Sequence, residues 1–205
     1  MAPVPFAEIP SAPPMIVVIS GPSGVGKTVI CRGLIDADPS LVLSVSATTR
    51  APRADEIDGV NYAFWDRDRF REAVDKGYFL EWAEVHGELY GTPREAVEAE
   101  LARGRSPLLD VDVQGGRSVK RIVPEAVLIL LAPPSLEALE SRLRGRGTDS
   151  DAVIRRRLEA ARMELDQWGA YDYVVVNDRL DEALARIRGI LGAERARVSR
   201  RRPRG

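Results

Sequence analysis

The sequence predicts an α/β fold: a parallel sheet core wrapped by helices, with a small α+β lobe inserted into it. Three observations carry that expectation. Apolar runs of strand length alternate with helical patterns. A glycine-rich turn follows the first of these runs, and residues 46–90 interrupt the alternation with a stretch dense in tyrosine, arginine and acidic residues. In open α/β sheets ligands bind at the carboxyl ends of the strands, so the turns there are the places to look for chemistry.

Taken in order, residues 15–20 form the first run, apolar and β-branched as a strand buried on both faces requires. It leads into SGPSGVGKTV, residues 20–29, which fits G-x-x-x-x-G-K-[ST] from Gly21 to Thr28. Glycines let successive backbone N–H groups turn inward around a polyphosphate. On this reading Gly21, Pro22, Ser23, Gly24, Val25 and Gly26 wrap the phosphates and Lys27 adds a positive charge. Thr28, at the start of the helix over 29–37, sets a hydroxyl where magnesium would bridge phosphates. Further strands are expected at 41–45, 107–113, 127–132 and 173–176. Within the inserted stretch, short strands near 61–65 and 79–85 flank a helix over 66–76. Thr92, Pro93 and Glu95 read as a capping box with proline at the first helical position. Ile154, Leu158, Ala161 and Leu165 mark one apolar face of a later helix.

Composition bounds the class. With 205 residues, 44% apolar and 30% charged, the chain suits one domain with an inserted lobe and an ordinary globular composition. Its apolar runs fall short of the ~20 residues of a membrane helix. Residues 1–14, rich in proline, read as a flexible lead-in and not as a secretion signal. Cys31 is the single cysteine, which excludes an internal disulfide and suits a reducing cytoplasm. The lone histidine, His86, is taken as structural or peripheral. Residues 193–205 hold six arginines against Glu194, and are expected to be a disordered basic tail within reach of weak electrostatic contacts to nucleic acid. A pI near 6.0 argues against dedicated nucleic-acid binding.

Five stretches in order give the chain a family likeness: the phosphate loop, SVSATTRAPR (44–53), EWAEVHGELYGT (81–92), LLDVDVQG (108–115) and SRLRGRGTD (141–149). Together they resemble guanylate kinase, over nearly the whole of residues 15–191. The resemblance implies a P-loop kinase fold with a core of 15–45 and 93–192, a GMP-binding lobe near 46–92 and a helical lid near 142–158. It implies ATP-dependent phosphorylation of GMP, with dGMP a second substrate and Mg2+ as cofactor. Oligomeric state, monomer or homo-oligomer, is left open, and no membrane partner is expected.

Residue by residue, Arg50, Arg53, Tyr62 and Tyr90 match the family's ligands for the acceptor phosphate. Two guanidiniums and two phenols can surround a near-dianion with charge-assisted donors. Glu81 matches the glutamate that reads guanine. A carboxylate accepts both from N1–H and from the 2-amino group, whereas adenine would set a lone pair against it. Ser46, Thr92 and Asp112 fall where the family completes the base pocket. Asp110 resembles the acid beside the P-loop threonine that orients magnesium or its waters. Arg142, Arg146 and Arg157 align with the lid's ATP-facing arginines, and Asn177 in YDYVVVND with a residue on the adenine side. Ala54, Asp55, Ala63 and Trp65 depart from the family's usual residues, outside these ligands. Two rival readings are another P-loop kinase, acting on a sugar phosphate, and a non-catalytic scaffolding module that binds phosphorylated peptides. Glu81 argues against the first, and Lys27, Thr28, Asp110 and Arg146 against the second.

Overall fold

The structure, a computed structural model, describes residues 12–54, 56–85, 87–145 and 150–201. The expectations for residues 1–11 of the lead-in, Asp55, His86, Arg146 and residues 202–205 lie outside the described residues. From Val17–Ser20 (β1) the chain passes through Lys27–Ala37 (α1) to Leu41–Leu43 (β2), Ala47–Thr48 (β3), Ala63–Phe64 (β4), Arg67–Asp75 (α2), Phe79–Val85 (β5) and Glu88–Pro93 (β6). It continues through Arg94–Ala102 (α3), Ser106–Asp110 (β7), Val113–Ile122 (α4), Val127–Ala132 (β8), Leu136–Arg144 (α5) and Asp151–Leu165 (α6). Tyr173–Val176 (β9), Leu180–Ala196 (α7) and Val198–Arg201 (α8) complete it.

The main sheet is parallel, in the order β2-β7-β1-β8-β9. Its inner strands β7, β1 and β8 are apolar at successive positions because both their faces are covered, whereas the edge strand β9 leaves Val174 and Val176 exposed. Val17, Ile19, Ile129 and Leu131 pack with Ile30 and Leu34 of α1 and Ile187 and Leu191 of α7. Ile16, Val18, Leu109 and Leu128 point the other way, toward Val97 of α3 and Val119 of α4. Fully burying each such side chain stabilises the fold by roughly 1.5–3 kcal/mol.

A second sheet, in the order β4-β3-β6-β5, carries the lobe. Its core stacks Phe70 on Phe79 with ring centroids 4.5 Å apart. Trp65 packs on both rings, and the Arg69 guanidinium lies 4.0 Å above Trp65. The unusual Trp65 is therefore lobe core. Strand β5 joins lobe to main sheet by its alternation, since Phe79 belongs to the lobe core and Leu80 to the main one.

Three expectations are corrected. Pro93 is the N-cap of α3, not its first helical residue, and no side chain caps that helix. Thr92 instead sits in β6, its hydroxyl bonded to Glu81. Strand β7 stops at Asp110, and Val113 opens α4, because Asp112 caps that helix by accepting from the Gly115 N–H at 2.8 Å. Residues 193–201 are not a disordered tail: α7 runs to Ala196 and α8 follows. Arg195 reaches Asp38 at 2.7 Å, while Arg197 and Arg200 converge on Glu194, which is 2% exposed. These three arginines pair with carboxylates of the fold.

Candidate functional site

Strand β1 lies between β7 and β8, and the chain leaves its carboxyl end through the glycine-rich loop. Gly26, the N-cap of α1, has φ 102°, a left-handed conformation that favours glycine. A β-carbon there would also meet Asn177 Nδ2 at 2.7 Å. Lys27 Nζ donates to the Gly21 carbonyl at 2.7 Å, folding back over the loop. Ile19 of β1 is in register with Asp110 of β7, and this pairing brings the next turn's Thr28 against the acid: its hydroxyl donates to Asp110 Oδ2 at 3.0 Å. Burial holds the Asp110 carboxyl above the usual range, against the opposing pull of Lys27 and Thr28.

The loop forms one wall of a cleft of about 420 Å³. Gly21, Ser23, Gly24, Gly26, Lys27 and Thr28 line it there. Val25 buries its side chain completely and offers its backbone carbonyl to Asn177 Nδ2 at 2.8 Å. Asn177, itself buried, thus braces the loop from behind. Gly24 abuts α5, since a β-carbon on it would lie 2.8 Å from Leu143.

Across the cleft stands the lobe. Arg50, Arg53, Tyr62 and Tyr90 line it together. The Arg50 guanidinium is 5.6 Å from the Tyr62 ring centroid, and Tyr62 meets Tyr90 edge-on at 5.9 Å. β3 and β6 pair Thr48 with Tyr90, which sets the Arg50 loop beside that tyrosine. The result is a compact group of cationic and phenolic donors.

Deeper in the cleft, Ser46, Glu81 and Asp112 converge. Glu81 is 6% exposed, and the fully buried Thr92 donates its hydroxyl to Glu81 Oε1 at 2.6 Å. Register explains the pair, because Glu81 of β5 faces Thr92 of β6. Burial pushes the Glu81 carboxyl up to about 7, with Thr92 opposing and Asp112 reinforcing. Thr92 therefore orients the carboxylate from behind the cleft wall. On the other side, Gly115 lies so close that a β-carbon would stand 2.6 Å from Glu81 Oε2.

Helix α6 closes the remaining side. Ile154, Leu158 and Ala161 pack against Leu139 and Leu143 of α5, which leaves Arg157 and Glu164, two turns apart, on the cleft. Burial raises the Glu164 carboxyl, with Lys27 opposing and Asp112 reinforcing, so it faces both groups. Arg142 is directed elsewhere: its Nη2 donates to the Asn177 carbonyl at 2.8 Å.

The expected residues thus divide. Most loop residues, the two arginines and two tyrosines, Ser46, Glu81, Asp110, Asp112 and Arg157 share one cleft. Thr92, Asn177 and Arg142 hold its walls. Glu56, Gly115 and Glu164 were not singled out from sequence. Glu164 could have been found as the residue seven after Arg157 on the same helical face; Glu56 and Gly115 had no local signal.

Among the described residues, no helix is long and apolar enough to cross a membrane, and no group of three or more His, Cys, Asp and Glu residues could hold a metal. A family profile described as Guanylate kinase matches residues 14–194. A "Guanylate kinase" of Anaeromyxobacter dehalogenans is 52% identical over 187 residues, covering 90% of this chain and 83% of that protein. Another, of Parasynechococcus marenigrum, is 51% identical over 177 residues, covering 86% and 97%. The crystal structure of guanylate kinase from Anaplasma phagocytophilum superposes with a TM-score of 0.79 at 35% identity, covering 93% of this chain and 91% of that one. The SH3-kinase fragment of tight junction protein 3 shares the fold at a TM-score of 0.52 and 12% identity, over 89% of this chain and 58% of that one. With the phosphate loop, the donor group and the buried carboxylate in one cleft, and with relatives matched along nearly its whole length, this chain belongs to the guanylate kinase family.

Proposed function

We propose that the protein transfers the terminal phosphoryl group of ATP to GMP, giving GDP and ADP, and that it accepts dGMP as well. One observation supports this reading best: a single cleft joins the phosphate loop to a buried carboxylate, Glu81, with a cluster of cationic and phenolic donors beside them. ATP's phosphates belong with the loop and Lys27. The acceptor's phosphate belongs with Arg50, Arg53, Tyr62 and Tyr90, and its base with Glu81, Ser46 and Asp112.

The attacking atom is an oxygen of the acceptor phosphate, whose second pKa is ~6. It is largely ionised near neutrality, so no general base is needed. Alignment and charge neutralisation then carry the rate, with Lys27 and Arg157 supplying positive charge around the moving group. Thr28 and Asp110 offer hard oxygen donors at one point of the cleft wall, which suits magnesium held by few protein ligands together with phosphates. When bound, the ion would add charge neutralisation between the phosphates. With Cys31 its single cysteine the chain forms no internal disulfide, and a reducing cytoplasm is the setting we assign to it.

A coupled assay of ADP release, with GMP, dGMP, AMP, CMP, UMP or no acceptor, tests the reading. Rapid turnover is expected with GMP and dGMP alone, and Glu81→Gln should lower kcat/KM for GMP by ~10 to 100-fold. Equal ADP release without acceptor would reject it.

A further inference from the structure

The two arginines facing the acceptor phosphate already have an anion behind them. Glu56 accepts from Arg50 Nη2 through both carboxylate oxygens, at 2.8 and 2.9 Å, and from the Arg53 backbone N–H at 2.8 Å. The Arg53 guanidinium stands 3.8 Å from the same carboxylate. Arg50 is fixed a second time where Nη1 donates to the Ala51 carbonyl at 2.6 Å. The Glu56 side chain is 10% exposed, and it stands outside the cleft lining that Arg50 and Arg53 share. Burial alone would raise its pKa, but the Arg53 N–H and Arg50 outweigh burial and keep it low, so it is charged when the nucleotides bind.

We propose that Glu56 is a positioning residue for the acceptor phosphate: from behind the cleft it holds the Arg50 guanidinium and the turn carrying Arg53 in place, without touching the nucleotide. This rests on the reading that Arg50 and Arg53 take that phosphate. An arginine loses much rotamer freedom on meeting an anion, and one already held loses less when the phosphate arrives. The opposite role is a stand-in anion that the phosphate must displace. Two features disfavour it: Glu56 lies off the cleft, and only one of Arg50's three guanidinium nitrogens meets it.

The two roles differ in sign. GMP and guanosine binding by calorimetry, with KM for GMP and ATP, would be measured on the full chain, Glu56→Ala, Glu56→Gln and Arg50→Ala, each checked for an intact melting transition. Glu56→Ala should weaken GMP binding ~10-fold and raise KM for GMP to match, while guanosine binding, KM for ATP and kcat stay within about twofold. Glu56→Gln, which keeps an acceptor for the Arg53 N–H, should recover part of the loss. Tighter or unchanged GMP binding in Glu56→Ala overturns the proposal, and so does equal loss of GMP and guanosine, which would mark general damage to the lobe. If Arg50→Ala binds GMP as the parent does, the phosphate reading itself fails, independently of the Glu56 result.

Discussion

The acidic limb of the pH profile should belong to Glu81. On the proposed reading, guanine's N1–H and 2-amino groups donate to Glu81, so the ionised carboxylate holds the base. Burial keeps that carboxyl protonated up to about 7, above its ordinary 4.5. Then kcat/KM for GMP should rise with pH through about 7, and Glu81→Gln should remove this inflection, leaving the one from the phosphate of GMP at ~6. The same shift has a stability counterpart. A proton held more tightly in the fold than in the unfolded chain stabilises fully below pH 4.5, and that contribution is lost as pH rises through about 7. Melting without nucleotide should show that loss in the parent and not in the variant. Gly115→Ala is a second test at this scale, because its β-carbon would lie 2.6 Å from Glu81 Oε2 and 3.2 Å from Asp112 Oδ1. KM for GMP should rise about tenfold, as a displaced hydrogen-bonding group allows, with KM for ATP unchanged.

Among the elements, α6 carries packing and cleft residues on adjoining flanks. Its apolar residues bind it to α5, and α5 in turn touches the phosphate loop through Leu143 and Gly24. Arg157 and Glu164 look into the cleft. On the proposed reading, Arg157→Ala removes positive charge at the moving phosphoryl group but leaves the lobe intact. Turnover should fall ~10³-fold with GMP binding within about twofold, measured by single-turnover kinetics beside calorimetry. The helix was legible from Ile154, Leu158, Ala161 and Leu165, because a 3.6-residue period is a property of sequence. That Arg142 would reach the Asn177 carbonyl was not, because that contact spans 35 residues and depends on how α5 meets β9. Thr92 shows the same competition: its spacing to Glu95 suits a cap, but its partner across the sheet, Glu81, takes the hydroxyl.

For the whole molecule, the carboxyl-terminal helices act as a clasp. Glu194 accepts from Tyr173, Arg197 and Arg200, and Arg195 reaches back to Asp38 and Ser40 beside β2. Burial would raise the Glu194 carboxyl, yet these donors hold it low, so its stabilising effect is present at neutral pH and lost as pH falls through its depressed pKa. Glu194→Ala should cost about 2 kcal/mol by taking the acceptor from Tyr173 and from Arg200, whose side chain is 16% exposed, lowering Tm by roughly 4–8 °C with activity at 25 °C retained. Calorimetric melting beside the coupled assay checks it.

By itself the sequence determined the strand-loop-helix phosphate site, the alternation that makes a parallel sheet, and the residue types able to hold a monophosphate and read guanine. Each follows from local spacing or from the chemistry of side chains, which do not depend on the rest of the chain. Tertiary structure alone decided that Glu56 stands behind Arg50, that Gly115 fits against Glu81, that Asn177 braces the loop and that Arg195, Arg197 and Arg200 pair with Asp38 and Glu194. Those contacts join residues through strand register and helix packing, and a charge run looks the same in sequence whether solvent or a buried glutamate such as Glu194 receives it.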